Sequence, residues 1–214
     1  MSYSKFSLNQ LASEFGIEQQ RASLFTAASI KSITPSPTLL ELITDAQGAP
    51  LGTEIAISMG IIYPIFNEIR RKNNTRMTLF SGYTLKVDTA KKLTGACDFL
   101  LSLLPDLFEL RAPIFCLVEA KKGVIESGLG QCGAEMYAAQ LYNTRDGFEL
   151  PTVFGCVTNG SDWVFLRLDG KRLLIDKIPY QLSDLPTILG VLQHIIDFYE
   201  PYRTAIATAA IAKQ

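Results

Sequence analysis

The chain of 214 residues contains one histidine, His194. It sits beside Ile195 and Ile196 in a C-terminal apolar stretch, and no Ser-His-Asp or Cys-His arrangement is suggested around it. A structural role for His194 is the expectation. The four cysteines, Cys97, Cys116, Cys132 and Cys156, form no CxxC or CxC pair, which argues against a disulfide framework or a zinc site. Neither sign of charge dominates: 20 Lys and Arg stand against 21 Asp and Glu. A net charge of -1 provides no general pull toward nucleic acid, so any such binding needs a local patch. No apolar run approaches the roughly 18 residues of a membrane span, and the N-terminus lacks a basic-then-apolar leader. Gly128-Leu129-Gly130 lacks the Lys-Ser/Thr of a phosphate loop. These absences predict a reducing, cytoplasmic protein with no membrane association.

Hydrophobic residues make up 48% of the chain and charged residues 19%, the composition of a globular protein. The length suits one compact domain. Residues 1–48 read as a helical extension. Ser7 caps a short helix closed by Gly16, a second helix runs from Glu18 to about Ile30, and a third covers Leu39 to Gln47. Thr53 and Glu54 open a longer helix reaching Lys72, with Ile55, Met59, Ile62, Phe66 and Ile69 as its core stripe and Pro64 as a kink. Its basic end, Arg70, Arg71 and Lys72, suits the helix dipole or a phosphate-facing patch. Strands follow at Met77–Val87 (with Gly82 as a bulge), Gly95–Leu104 and Ile114–Lys121. A helix over Leu129–Asn143 leads to a strand at Thr152–Thr158, and two more strands span Trp163–Leu168 and Arg172–Ile178. The last helix ends near Tyr199, and the Ala-rich tail after Tyr202 is expected to fray.

The chemistry concentrates at Ile114–Gly123. An apolar strand ends there in Glu119-Ala120-Lys121-Lys122. Residues two apart in a strand share a face, so Glu119 and Lys121 project side by side. If the two preceding strands form a symmetric hairpin about the loop 105–112, Ser102 faces Phe115, Leu100 faces Leu117 and Asp98 faces Glu119. Like charges opposed across a sheet are destabilising. A divalent cation between them, Mg2+ or Mn2+ for hard oxygen ligands, removes the conflict. Lys121 on the same face can orient a water or a phosphate.

Asp98, then Glu119-Ala120-Lys121 closing an apolar strand, then a helix bearing Gln131, resembles the PD-(D/E)XK nuclease superfamily. Cys97 precedes Asp98 where the motif name has Pro, and Glu135, not Tyr, stands four residues after Gln131. The resemblance covers about Thr53 to Leu168. It implies a restriction-endonuclease-like α/β core over residues 49–214, a central mixed sheet flanked by helices. Asp98, Glu119 and the Ala120 carbonyl would hold the metal, and Lys121 would serve the attacking water. Gln131 would join from the following helix and Glu54 from the first, with Glu68 as the reserve. Glu135, one turn from Gln131, could face the same site or form part of a solvated face.

The resemblance implies a metal-dependent nuclease acting on nucleic acid, with DNA the expected substrate and Lys122, Arg70 and Arg71 as phosphate contacts. A homodimer is open. The alternative is a catalytically silent module of the same fold that binds nucleic acid or a protein partner.

Overall fold

In a computed structural model, which describes residues 3–26 and 28–211, eight strands form one mixed sheet flanked by helices. The elements are α1 (Leu8–Phe15), β1 (Glu18–Ala22), α2 (Pro37–Gln47), α3 (Glu54–Ile57), a π turn (Ser58–Ile62) and α4 (Tyr63–Lys72). There follow β2 (Thr78–Asp88), β3 (Leu93–Ser102), β4 (Ile114–Ala120), α5 (Glu126–Arg145) and β5 (Val153–Thr158). The chain continues through β6 (Asp162–Asp169), β7 (Arg172–Asp176), β8 (Tyr180–Gln181), α6 (Leu185–Phe198) and α7 (Arg203–Ile211). The strand order is β1-β7-β6-β5-β4-β3-β2, with β8 pairing on β6. The pairs β4–β5 and β1–β7 are parallel; the other neighbours are antiparallel.

Several elements follow directly from local chemistry. Ser7 and Gln10 form a reciprocal capping box at the start of α1, and Gly16 closes it at φ 65°. Ser36 caps α2 just before Pro37, and Glu68 in turn accepts hydrogen bonds from the Ser36 N–H and hydroxyl.

Four expectations are corrected. Glu18–Ala22 is not helical but an edge strand, paired in parallel with β7; Ala27, within the predicted helix, lies outside the described residues. Its polar sequence, EQQRA, carries no alternation by which a strand could be read. In the first long helix, Ile55 and Met59 are exposed, and the buried face is Ile57, Ile61, Ile62, Ile65, Phe66 and Ile69. Pro64 has no N–H to donate to the preceding turn. The Tyr63 N–H reaches back to the Ser58 carbonyl, an i→i−5 bond, and this extra residue in the turn rotates the stripe. Gly82, at φ 62°, causes no register shift; the shift in β2 falls at Lys86/Asp88. The tail after Tyr202 forms α7 as far as Ile211; residues 212–214 lie outside the described residues.

The sheet is covered on both faces. On one side α4 and α6 bury Phe66, Ile188 and Leu192 against Phe115, Val118, Trp163 and Phe165. On the other side α5 packs on Leu100, Leu117, Val157 and Leu166, and the N-terminal segment with Tyr3, Phe6 and Leu11 closes over it. A helix enclosed in this way buries nearly every side chain from Gly128 to Ala139. Glycines permit the close approach: a Cβ on Gly130 would collide with the backbone of Phe6 and Ser7, and one on Gly133 with Leu11. That contact offsets the roughly 1 kcal/mol by which Gly is inferior to Ala inside a helix. Gly130→Ala is expected to lower stability by about 1–3 kcal/mol through overpacking against main chain that cannot yield, read as a reduced urea midpoint. An unchanged midpoint would contradict this packing.

Candidate functional site

The site lies where β4 ends. Glu119 shares a strand face with Leu117, which packs on the α5 side of the sheet, so its carboxylate is directed toward that helix. The β3–β4 pairing includes Phe99↔Val118, Leu100↔Leu117 and Leu101↔Cys116, the symmetric register expected from the sequence. An irregularity then places Ser102 opposite Ile114 rather than Phe115. At the other end the ladder stops at Phe99↔Val118, one step short of Asp98 and Glu119.

Asp98 therefore leaves the regular ladder. Its neighbours Cys97 and Leu100 both pack on the α5 side while Phe99 packs on the opposite face, so the strand alternation breaks beside Asp98. On β2, Ser81 pairs Phe99 and Tyr83 pairs Cys97, which leaves the left-handed Gly82 between them, opposite the break. The Ala120 N–H points toward β3 and donates to Asp98 Oδ2 at 2.8 Å. Because the N–H and C=O of one strand residue point to the same side, the Ala120 carbonyl also turns toward Asp98. The next N–H, of Lys121, points the other way and donates to the Thr158 carbonyl of β5.

Lys121 Nζ donates to Glu119 Oε1 at 2.6 Å and to Gln131 Oε1 at 3.2 Å. Gln131 Nε2 donates onward to Glu135 Oε1 at 3.1 Å. Glu54, at the start of α3, accepts a long 3.4 Å contact from the Lys122 N–H. Asp98, Glu119, Lys121, Gln131 and Glu54 are thus brought together, with Glu135 behind them. Glu135 is completely buried, which excludes the solvated face. From the sequence its turn was legible but its burial was not, because the N-terminal segment that covers α5 is remote in the chain.

Other expected residues lie elsewhere. Glu68 is turned to Ser36 and Lys72. Arg70 bonds Asn67, and Arg71 is exposed. The helical path from Glu54 to Arg70 is about 24 Å long at 1.5 Å per residue, so the basic end of α4 is remote from the acids. Lys122 is exposed and adjoins the site. His194 makes an edge contact with the Phe25 ring, with centroids 5.6 Å apart.

The electrostatics are those of too many carboxyl groups for one ammonium. Burial, then the charge of Asp98, pushes the Glu119 carboxyl up to about 7; Lys121 opposes this and Glu54 adds to it. Burial also raises Asp98, against the Ala120 N–H and Lys121. Burial works to lower Lys121, but its bond to Glu119 and the surrounding acids outweigh this and raise it. Glu135 is held well above the carboxylate range by burial and then by Glu119. Burial and these same acids push the Cys97 and Cys132 thiols up, so neither offers a thiolate.

Compared with protein-family models and with curated proteins, the chain matches none. The chemistry of the site is therefore read from its geometry.

Among the described residues, no group of three or more His, Cys, Asp or Glu is set to hold a metal ion on its own. A magnesium site does not require one, since Mg2+ is usually held by one or two carboxylates, with waters and substrate phosphate completing the shell. Glu119 Oε2 is buried with no hydrogen-bond partner, and the carboxylates of Asp98 and Glu54 act on it electrostatically. An orphaned oxygen among like charges, with the Ala120 carbonyl turned toward the neighbouring Asp98, is a donor set that fits a hard cation.

The Glu135 carboxyl yields a test. Its raised pKa means that the folded protein binds more protons than the unfolded chain above the ordinary carboxylate range. Its contribution is therefore present at low pH and is lost as pH rises through the folded value. Glu135→Gln removes that titration and keeps an acceptor for Gln131. The variant is expected to gain stability relative to the unmodified protein as pH rises from 5 to 8, measured by urea unfolding. A difference independent of pH would contradict the burial of an ionisable group there.

Proposed function

We propose that this chain is a metal-dependent nuclease of the PD-(D/E)XK kind, with a restriction-endonuclease-like core. The observation that carries the reading is the convergence of Asp98, Glu119 and Lys121 at the open end of β4, with the Ala120 N–H bonded to Asp98. The order of elements supports it: a helix, the antiparallel run β2-β3-β4, the crossover helix α5, and β5 parallel to β4.

Asp98, Glu119 and the Ala120 carbonyl would hold Mg2+ or Mn2+, with Glu54 adjoining. The cation, when bound, supplies Lewis acidity and a bound water of lowered pKa. The chain's own groups do the rest. Lys121 has three N–H donors, and Glu119 and Gln131 take two in fixed directions. The third is thereby aimed, available to a water or a phosphate oxygen at the site. Gln131 can only serve Lys121 through its carbonyl oxygen, since an ammonium has no acceptor. Glu135 enforces that orientation by accepting from the other end of the amide. Lys122 lies exposed next in sequence, where it can meet the backbone of a bound strand.

The test is cleavage of single- and double-stranded DNA in Mg2+ by the unmodified protein, Asp98→Ala and Lys121→Ala. Each substitution is expected to reduce the rate at least about 100-fold. Activity that survives both would remove the site assignment. Tight binding of DNA with no cleavage by the unmodified protein would favour the silent module.

A further inference from the structure

The carboxyl ends of β1, β4, β5 and β7 all lie along one edge of the sheet, because these four strands run the same way. Ligands of open α/β sheets bind beyond such ends. Three cations stand along this edge: Lys122 just after β4, Lys177 just after β7, and Arg21 in β1 opposite Ile175. All three side chains are exposed, and none makes a hydrogen bond or ion pair with its charged end among the described residues. Some basic groups elsewhere are engaged, as Arg76 is with Asp197 and Glu200. Arg71, Lys86 and Arg172 are exposed and unpaired among the described residues as well, so it is the position of these three along one edge, beside a cleft, that sets them apart. At about 4.8 Å per strand, Lys177 lies roughly 14 Å and Arg21 roughly 19 Å from the line of β4. The row leads away from Lys121.

Between these cations lies a cleft of about 320 Å³ that begins at Gly123, two residues after Lys121. Its apolar lining comes from Ile125, Leu129, Val164 and Ile175, and the exposed Val124 stands on its rim. Asn159 and Asp162 also line it, the Asn159 amide donating to Gly123 and Asp162 and accepting from the N–H groups of Ser161 and Asp162. Two of its carboxylates are already engaged. Asp162 accepts from Asn159 and Gln181, and Asp176 from the N–H groups of Leu24 and Lys177 and from the Tyr180 hydroxyl. Glu126, in the first turn of α5, is the remaining acid in the lining. An apolar floor, a few polar groups and unpaired cations at the rim describe a place for one nucleobase, with the phosphates of its strand outside. A base reaches such a cleft only when it is free of a duplex stack.

We infer that this edge binds an unpaired stretch of nucleic acid leading from the active site, with one base in the cleft and its phosphates along Lys122, Lys177 and Arg21. The inference rests on the nuclease reading for its direction, but its binding test does not require cleavage. Fluorescence anisotropy in EDTA would follow a labelled single-stranded oligonucleotide and a blunt duplex, each across a salt series. Arg21→Ala combined with Lys177→Ala, both exposed, is expected to weaken single-strand binding about tenfold. It should also reduce the slope of log affinity against log salt by about 1.4, or 0.7 per lost phosphate contact. Val124→Asp, which puts a carboxylate at the mouth of the cleft, should weaken the single strand as well, and the blunt duplex should respond to none of these changes. An unchanged affinity and salt slope would overturn the inference, as would equal weakening of duplex and single strand or no binding of the single strand by the unmodified protein. A protein that binds as described but cuts nothing would leave the inference standing and overturn the nuclease reading alone.

Discussion

Among the described residues two buried carboxylate oxygens, Oε2 of Glu119 and Oε2 of Glu135, have no hydrogen-bond partner, and the architecture around Glu119 supplies more negative charge rather than less. Leaving a buried charge unpaired is costly, by several kcal/mol even after relaxation. Lys121 neutralises one side of the carboxyl group, but Asp98, Glu54 and Glu135 act on the same region. A fold that concentrates acids at the end of a core strand has either accepted that cost or uses it to bind a cation, and the proposed function takes the second alternative.

The surrounding elements can be understood as supports for this point. The break beside Asp98, opposite Gly82, frees its carboxylate to take the Ala120 N–H that the β3 ladder does not reach. Helix α5 lies tightly between the sheet and the N-terminal segment because Gly130 and Gly133 lack side chains. That enclosure makes Glu135 a buried acid and fixes the Gln131 amide behind Lys121. The π turn before Pro64 allows one continuous helical path to present Glu54 at the site and still bury Ile65, Phe66 and Ile69.

What the sequence disclosed followed the range of each signal. The shared face of Glu119 and Lys121 needs only two-residue alternation, and the β3–β4 register from Phe99 to Leu101 needs only a hairpin, so both were legible; the shift at Ser102 and the end of the ladder before Asp98 were not. The extent of the sheet was not, because β1 is a polar edge strand whose stability comes from pairing with β7, about 150 residues away. The exposed Ile55 and Met59 were read as core because a regular helical period cannot anticipate a π turn. Arg70 and Arg71 entered as phosphate contacts on charge alone, without the helix length that separates them from the acids. Arg21 and Lys177 could not have been grouped from sequence, since only the strand order brings them to one edge.

The central claim, that these acids are arranged for a divalent cation, is tested most directly by calorimetric titration of Mg2+ and Mn2+ into the unmodified protein and into Asp98→Asn and Glu119→Gln. The account predicts saturable binding to the unmodified protein, with a rise in thermal stability as ion is added, by about 2.7 kcal/mol at one hundred times the dissociation constant. Both effects should be lost in each variant. Absence of binding, or binding that persists in both variants, would contradict it.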